Sequence, residues 1–366
     1  MADVRPFRGL RYNSNVVEDL SPVLCPPYDL VSPKLQRELY QRSPFNAVRL
    51  EEAESFPTDT PENNRYTRTA ALFRQWLDSR VLVQEAQPSY YILQQRFTYR
   101  GREMERLGLA ARVRLEDFSR GIVFLHEHTA EGPKRDRLEL MKACRANFSP
   151  IMALYRDEGQ QVRKLLQGTL VGAPAVEARD DDGQQYRLWA VGDGARLRQL
   201  QEAFSLKPLY LADGHHRYET ALSYRDSVKA QLGSRYTGEE AFNFVLMVLL
   251  DFDDPGLLVL PYHRLVGGLA PPVFTRVRDK LKEVFRFERF SSWRGTLEEK
   301  VQDLVLIVET RGKREGVLGL VGPDGEGPYI LTVRDPEQVE VAGPLGGFES
   351  WVLEEMALRP VVGDEL

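Results

Sequence analysis

The sequence predicts an α+β protein in which a mixed β-sheet forms the core and a smaller α/β region follows it. Three observations support this fold class. Phe244 to Phe252 is an almost wholly apolar run, which is typical of a central strand. Residues 89–99 and 104–115 alternate in polarity around Arg100 and Gly101, which predicts a β-hairpin. Residues 65–79 carry apolar side chains at helical spacing instead.

Local signals predict the other elements of the first two thirds of the chain. Ser32 followed by Pro33 is a helix-start signal, so a short helix is expected from Pro33 to Tyr40. A basic amphipathic helix is expected over 134–146. Short strands are expected at 149–155, 185–190 and 209–212. The last of these strands ends at Asp213–Gly214, and a helical pattern then continues to about Leu232.

The pattern changes towards the C-terminus. A strand is expected at Leu257–Pro261, and the segments after it are expected to form a helix at 271–285, strands at 301–310, 316–321 and 329–333, and a helix at 348–356. A chain of 366 residues is long enough for two domains. We therefore expect a mixed-sheet core over residues 1–265 and a smaller α/β region over residues 266–366.

Composition excludes several classes of protein. The net charge of −5 lacks the basic excess of nucleic-acid-binding proteins, so nucleic acid is not expected as a partner. Two cysteines cannot form a disulfide framework, which favours a cytoplasmic location. The N-terminus has no secretory pattern, and the longest apolar run, residues 244–250, is far shorter than the ~18 residues of a membrane span. No membrane association is expected.

Four of the five histidines form two tight clusters, which indicates a functional site because histidine suits proton transfer, phosphate contact and metal ligation. The first cluster is His126-Glu127-His128. On a strand its two histidines would share one face and could ligate a metal, but a third ligand would have to come from elsewhere. Glu127 is a candidate general base, or alternatively the ion-pair partner of an arginine.

The second cluster, Asp213-Gly214-His215-His216-Arg217, is the sharpest feature of the sequence. A strand, a glycine turn and a helix start in succession, which places free backbone N–H groups and the positive end of a helix dipole at one point. Such a point binds anions, and Arg217 with one histidine can add charge-assisted hydrogen bonds to a phosphate. Asp213 could hold a metal ion. The alternative is a plain capped helix with its histidines in solvent.

Three other segments are dense in polar groups. Pro26-Pro27-Tyr28-Asp29 would present Tyr28 and Asp29 rigidly, or would be a proline-fixed turn with a solvated carboxylate. Asn46 to Leu50 alternates polar and apolar residues, so on a strand Arg49 would face away from Asn46. Residues 131–137 form a basic turn before a helix, which could steer an anionic ligand but more often would be a solvated charged face.

Taken together, these motifs resemble the domain-of-unknown-function family 1015, a group of uncharacterised bacterial and archaeal proteins. The stretches that carry the resemblance span residues 26–221. They are Pro26 to Asp29, Asn46 to Leu50, Gly121 to Thr129, Ala146 to Ile151 and Leu211 to Ala221. The last of them is highly specific. The resemblance implies kinship and, because the family name carries no activity, no function.

The helix start at Gly214-His215-His216-Arg217 is also distantly similar to the phosphate-binding motif of the ParB/sulfiredoxin superfamily. That likeness implies that nucleotide phosphates bind at this helix N-terminus. His215 stands where sulfiredoxin has its reactive cysteine, which argues against sulfinic acid repair. The partition-protein branch would require a DNA-binding helical domain, and none is found in the sequence. The free-serine-kinase branch is the nearest analogue that remains.

Three functions follow as hypotheses. The first is a phosphotransferase for a small polar metabolite, with ATP or ADP and Mg²⁺ as cofactors. Its catalytic candidates are Asp29, Glu127 and His216, and its nucleotide-binding candidates are Asn46, Arg49 and residues 213–217. The second is a regulatory protein that binds a nucleotide without turnover. The third is a hydrolase with a metal held by Asp213, His126 and His128. The partners expected are a small molecule and a nucleotide, and a homodimer is left open.

Overall fold

The computed structural model describes residues 2–125, 131–260, 263–290, 296–312, 314–322, 328–335 and 349–363. The chain divides into two compact units, residues 1–258 and residues 259–366. In the described parts, helices accompany a mixed sheet, so the predicted α+β class is confirmed. None of the helices described is both long enough and apolar enough to cross a membrane.

One mixed sheet organises the first unit. Its described strands run in the spatial order β6-β10-β7-β11-β5-β4-β9-β8, and β1 pairs with β5 at the side. Their bounds, with those of a separate β2–β3 pair, are β1 Val4–Arg5, β2 Leu10–Tyr12, β3 Leu82–Gln84, β4 Tyr90–Tyr99, β5 Arg102–Arg114, β6 Val123–Phe124, β7 Ile151–Tyr155, β8 Val176–Arg179, β9 Gln185–Val191, β10 Leu209–Asp213 and β11 Phe244–Asp251.

The strands predicted for the core are present. The apolar run becomes β11, which pairs with β7 in parallel and with β5 antiparallel, and Met247 and Leu249 are fully buried. Strands β4 and β5 form the predicted hairpin. Arg100 and Gly101 both have positive φ, which is the conformation that a two-residue hairpin loop requires.

Three helices of the first unit pack against the apolar face of this sheet. Apolar side chains of β5, β7, β10 and β11 form one core with α5, α6 and α7. A second, smaller core lies around Phe73 and Trp76 of α3. The helix bounds are α1 Pro33–Arg42, α2 Val48–Glu51, α3 Arg65–Asp78, α4 Glu131–Cys144, α5 Gln161–Gln167, α6 Gly194–Phe204 and α7 His215–Leu232.

The second unit has its own cores and a small antiparallel sheet in which strand β14 lies between β12 and β13. Its described elements are α8 Pro271–Val284, β12 Phe285–Arg289, α9 Leu297–Arg311, β13 Val317–Leu320 and β14 Tyr329–Val333, followed by helical turns at Glu349–Trp351, Val352–Leu358 and Arg359–Val362.

Three local predictions are wrong. Residues 301–310 belong to helix α9, because Thr296 and Glu299 form a capping box and the apolar residues recur at helical spacing. Leu257–Leu260 lies in no strand, and the Leu257 N–H instead closes a turn on the Asp254 carbonyl. Asn46 to Leu50 is not extended, because the Asn46 side chain accepts a hydrogen bond from the Val48 N–H and starts helix α2.

Candidate functional site

The turn between β10 and α7 has the geometry of an open helix N-terminus. Strand β10 lies between β6 and β7, so its last residue, Asp213, is held at the end of the sheet. Gly214 follows with φ +92° and is the N-cap of α7, and a glycine has no side chain with which to cap the first turn. Only glycine adopts this φ without strain. The first turn of α7 therefore presents the positive end of the helix dipole at Gly214, where an anion is stabilised.

Arg217 folds back over this turn. Its Nη1 donates to the Pro150 carbonyl at 2.6 Å, and its Nη2 pairs with the Asp213 carboxylate. A Cβ atom on Gly214 would lie 3.0 Å from both Nε and Nη2 of Arg217, so the guanidinium covers the glycine directly. Arg217 Nε is buried, and among the described residues it has no hydrogen-bond partner. One donor of this guanidinium thus remains to be satisfied.

The other residues of the motif are exposed to solvent to different degrees. The Asp213 side chain is 52% exposed, which leaves it accessible to a cation. His215 is buried, whereas His216 is half-buried. Glu219, one turn further along α7, accepts a hydrogen bond from Lys134 Nζ at 3.1 Å, which joins α7 to α4. His216 is thus the more accessible of the two histidines.

A buried network of charges lies beside this turn. We call it the Arg137 cluster, and its members are Glu51, Glu52, Arg65, Tyr66, Asp136 and Arg137. Arg137 of α4 donates to the Glu51 carbonyl at 2.8 Å and to the Glu52 carboxylate at 2.9 Å. Arg137 is only 6% exposed, so these charges depend on one another for compensation.

Glu51 connects the Arg137 cluster to Arg217. Burial raises the pKa of the Glu51 carboxyl, and a hydrogen bond from Ser149 Oγ and the charge of Arg137 only partly offset this effect. Ser149 is followed by Pro150, whose carbonyl holds Arg217. Glu51 also lies near enough to Arg217 for the charge of that guanidinium to oppose the rise in the Glu51 pKa that burial causes. Glu51 thus links the two groups of charges through a buried carboxyl whose pKa is raised.

Tyr28 and Asp29 lie close to the same place. The Tyr28 ring packs under the guanidinium of Arg137, with 4.1 Å from Cζ to the ring centroid. Burial raises the pKa of the Tyr28 hydroxyl, while the charges of Arg137 and Arg217 act to lower it. Asp29 is exposed in the same helical turn, Tyr28–Leu30. The structure thus brings Tyr28 towards Arg217, 189 positions away in the sequence, and leaves Asp29 in solvent beside Tyr28.

Asn46 and Arg49 have structural partners instead. Asn46 is fully buried, and its Nδ2 donates to the carbonyls of Pro22 and Leu24. Arg49 Nη2 donates to the Tyr40 carbonyl at 2.7 Å at the end of helix α1, and its guanidinium stacks on the Tyr40 ring. The contacts found for these two residues fix the loops and α1, and none of them reaches the turn at Gly214.

The histidine cluster at 126–128 lies outside the described residues, so the predicted roles of His126, Glu127 and His128 stay predictions. Across the part of the chain that is described, no group of three metal-ligating side chains is found. The two cysteines favour the thiol over the thiolate, because burial raises the pKa of Cys25 to about 12 and that of Cys144 to about 11.

Sequence reasoning missed Glu51, Arg137 and Ser149. Residues 131–137 were expected to be a solvated face, and this is wrong for Arg137, which is buried against α2 and α3. The signal for Glu51 was its position directly after the Asn46–Leu50 motif. Ser149 lies within the Ala146–Ile151 stretch that resembled the family, but nothing in its local pattern indicates a hydroxyl bonded to a buried carboxylate.

The fold and this site define an α+β protein with an uncapped helix N-terminus beside a buried ionic network. A family model described as a protein of unknown function (DUF1015) matches residues 4–349, so the chain belongs to this family. Comparisons with curated proteins and with solved structures found no match. The likeness of the Gly214 turn to the ParB/sulfiredoxin superfamily gains no support from them and remains an interpretation.

Proposed function

We propose that this protein is a nucleotide-dependent phosphotransferase that acts on a small polar metabolite, such as a free hydroxy amino acid. One observation supports this most strongly. A buried Arg217 Nε, with no partner among the described residues, lies over the uncapped first turn of α7 at Gly214. Backbone N–H groups, a helix dipole and a guanidinium that converge on one point are the groups that bind phosphates.

The proposal assigns a role to each part of the site. Phosphate oxygens would accept from the first-turn N–H groups of α7 and from Arg217, with His216 beside them. Asp213 is exposed and would contact the Mg²⁺ that neutralises the phosphates. The substrate hydroxyl would lose its proton to a carboxylate, for which Asp29 and Glu127 are the candidates. Phosphoryl transfer needs this positioning and charge compensation more than any covalent step on the protein.

Binding is tested by thermal shift with ATP, ADP, CTP, GTP and pyrophosphate, each with and without Mg²⁺. A ligand that binds only the folded protein raises its melting temperature by mass action. We expect one nucleotide to raise the melting temperature of the wild type and to lose this effect in Arg217→Ala. Arg225→Ala is the matched control, because Arg225 lies on the same helix and pairs with Asp226, away from the first turn.

Turnover is tested with the nucleotide that binds, Mg²⁺ and a panel of hydroxyl compounds that includes serine. Formation of a phosphorylated product, lost in Arg217→Ala, supports the phosphotransferase. Binding without turnover supports the alternative, a regulatory protein that binds a nucleotide. If no nucleotide shifts the melting temperature, or if the shift survives in Arg217→Ala, both nucleotide hypotheses fail and the metal-dependent hydrolase becomes the hypothesis to test.

A further inference from the structure

Three arginines surround one aromatic ring on the sheet of the first unit. None of these residues belongs to the α7 turn. The guanidinium carbons of Arg5, Arg112 and Arg114 lie 4.9, 4.7 and 4.6 Å from the centroid of the Phe244 ring. We call these four residues the arginine triad and its ring. Like charges gathered around one ring repel each other, so the arrangement requires compensating negative charge.

Strand register brings these side chains together. Arg5 of β1 is directly opposite Arg112 of β5, and Phe244 of β11 is directly opposite Arg114. Arg112 and Arg114 are two residues apart on one strand, so they lie on the same face of the sheet. The triad is therefore built on paired strands and not on a flexible loop. Its positions are fixed by the backbone hydrogen bonds of three strands.

Compensation of the three charges is unequal. Arg5 and Arg114 each pair with both Asp3 and Glu239, and Arg114 also donates to the Gly238 carbonyl. The Arg112 backbone pairs with the neighbouring strands, but its guanidinium makes no hydrogen bond or ion pair with any residue in the described ranges, and its Nε is buried. Burial and the neighbouring Arg5 lower the pKa of Arg112, which indicates that its charge is poorly compensated.

We infer that the arginine triad binds an oxyanion, a carboxylate or a phosphate of a small molecule, through Arg112. Three positive charges against the two carboxylates leave one positive charge at the site, and an anion would neutralise it. The planar guanidinium of Arg112 offers paired donors that match the two oxygens of a carboxylate or a phosphate. The Phe244 ring supplies a flat wall that orients the guanidinium groups around the ligand.

The test measures binding of inorganic phosphate, acetate and citrate by isothermal titration at constant ionic strength set with NaCl. All measurements use the Arg217→Ala background, so that the α7 turn does not contribute. At least one anion should bind, and its dissociation constant should rise about tenfold or more when Arg112→Gln is added. Arg96→Gln is the control, because Arg96 is an exposed strand arginine paired with Glu105. It should leave binding unchanged.

The same measurements distinguish a phosphorylated ligand from a carboxylate ligand. Binding of phosphate alone assigns a phosphorylated ligand, and binding of acetate or citrate alone assigns a carboxylate. Arg112→Gln should melt at the same temperature as its parent or higher without anions, because it relieves the burial of a charge and its repulsion by Arg5, which outweigh the lost contact with the Phe244 ring. A lower melting temperature, with no anion effect that depends on Arg112, would overturn the inference and leave the proposal for Arg217 untouched.

Discussion

Gly214 is the single residue on which the geometry of the α7 turn depends most directly. Its φ of +92° lies in the region that other residues avoid, and an added Cβ would lie 3.0 Å from two nitrogens of Arg217. We expect Gly214→Ala to lower the free energy of unfolding by about 1–3 kcal/mol. It should also displace Arg217 and abolish the nucleotide-dependent thermal shift. Urea denaturation and the thermal shift panel measure the two effects separately.

Gly101→Ala is the matched control. Gly101 also has a positive φ, +74°, but an added Cβ there has no neighbour within 4 Å. This variant should lose a similar amount of stability through backbone strain and should bind ligand as the wild type does. If Gly214→Ala retained full ligand binding, the guanidinium over Gly214 would have no part in the site.

At the residue scale, the sequence predicted the part of the site that is contiguous in the chain. Asp213 to Arg217 could be predicted because a strand, a glycine and a helix start follow one another within a few positions. Glu51 and Arg137 could not, because they meet only when α2 and α4, 86 positions apart, pack together. Nothing in a local charge pattern distinguishes a buried arginine from a solvated one.

Helix α4 is attached to α2 through Arg137, and this attachment can be tested as a unit. Arg137 is 6% exposed and pairs with the carboxylates of Glu51, Glu52 and Asp136. Arg137→Ala would leave the buried carboxylate of Glu51 without its cation, and Glu52 and Asp136 would keep only the cation of Arg65. We expect it to lower the free energy of unfolding by about 3–5 kcal/mol, which chemical denaturation would measure.

The exposed pair of Arg96 and Glu105 provides the comparison for this prediction. Both side chains are at least 40% exposed, so solvent screens their attraction. Arg96→Ala should change the free energy of unfolding by no more than about 1 kcal/mol. If Arg96→Ala and Arg137→Ala lowered the free energy of unfolding equally, the Arg137 cluster would not hold α4 in place.

Elements were predicted best where one physical signal was clear. The hairpin β4–β5 followed from alternation and a turn at Arg100–Gly101, and β11 followed from its apolar run. Val301 to Thr310, predicted as a strand, forms part of helix α9 although it is rich in β-branched residues, which favour strands. The capping box at Thr296 and the helical spacing of Leu304, Ile307 and Val308 outweigh that preference.

At the scale of the whole molecule, the class of the fold could be predicted but the order of its strands could not. Local patterns locate strands, whereas the order depends on which strands pair over long distances in the chain. Strand β11 lies between β7 and β5, and β9 lies beside β4, so the sheet joins segments from residue 4 to residue 251. Long-range pairing of this kind leaves little local signal.

The division of the chain supports one last prediction. The fragment of residues 1–258 contains the whole mixed sheet and its cores, so it should fold alone, melt cooperatively by circular dichroism and retain any Arg217-dependent ligand response. A fragment of residues 1–240 lacks β11 and would leave β5 and β7 without their common partner, so it should not fold. Cooperative melting of the shorter fragment, or its absence in the longer one, would contradict the division at residue 258. In the second case, residues 1–258 would need residues 259–366 to complete their fold.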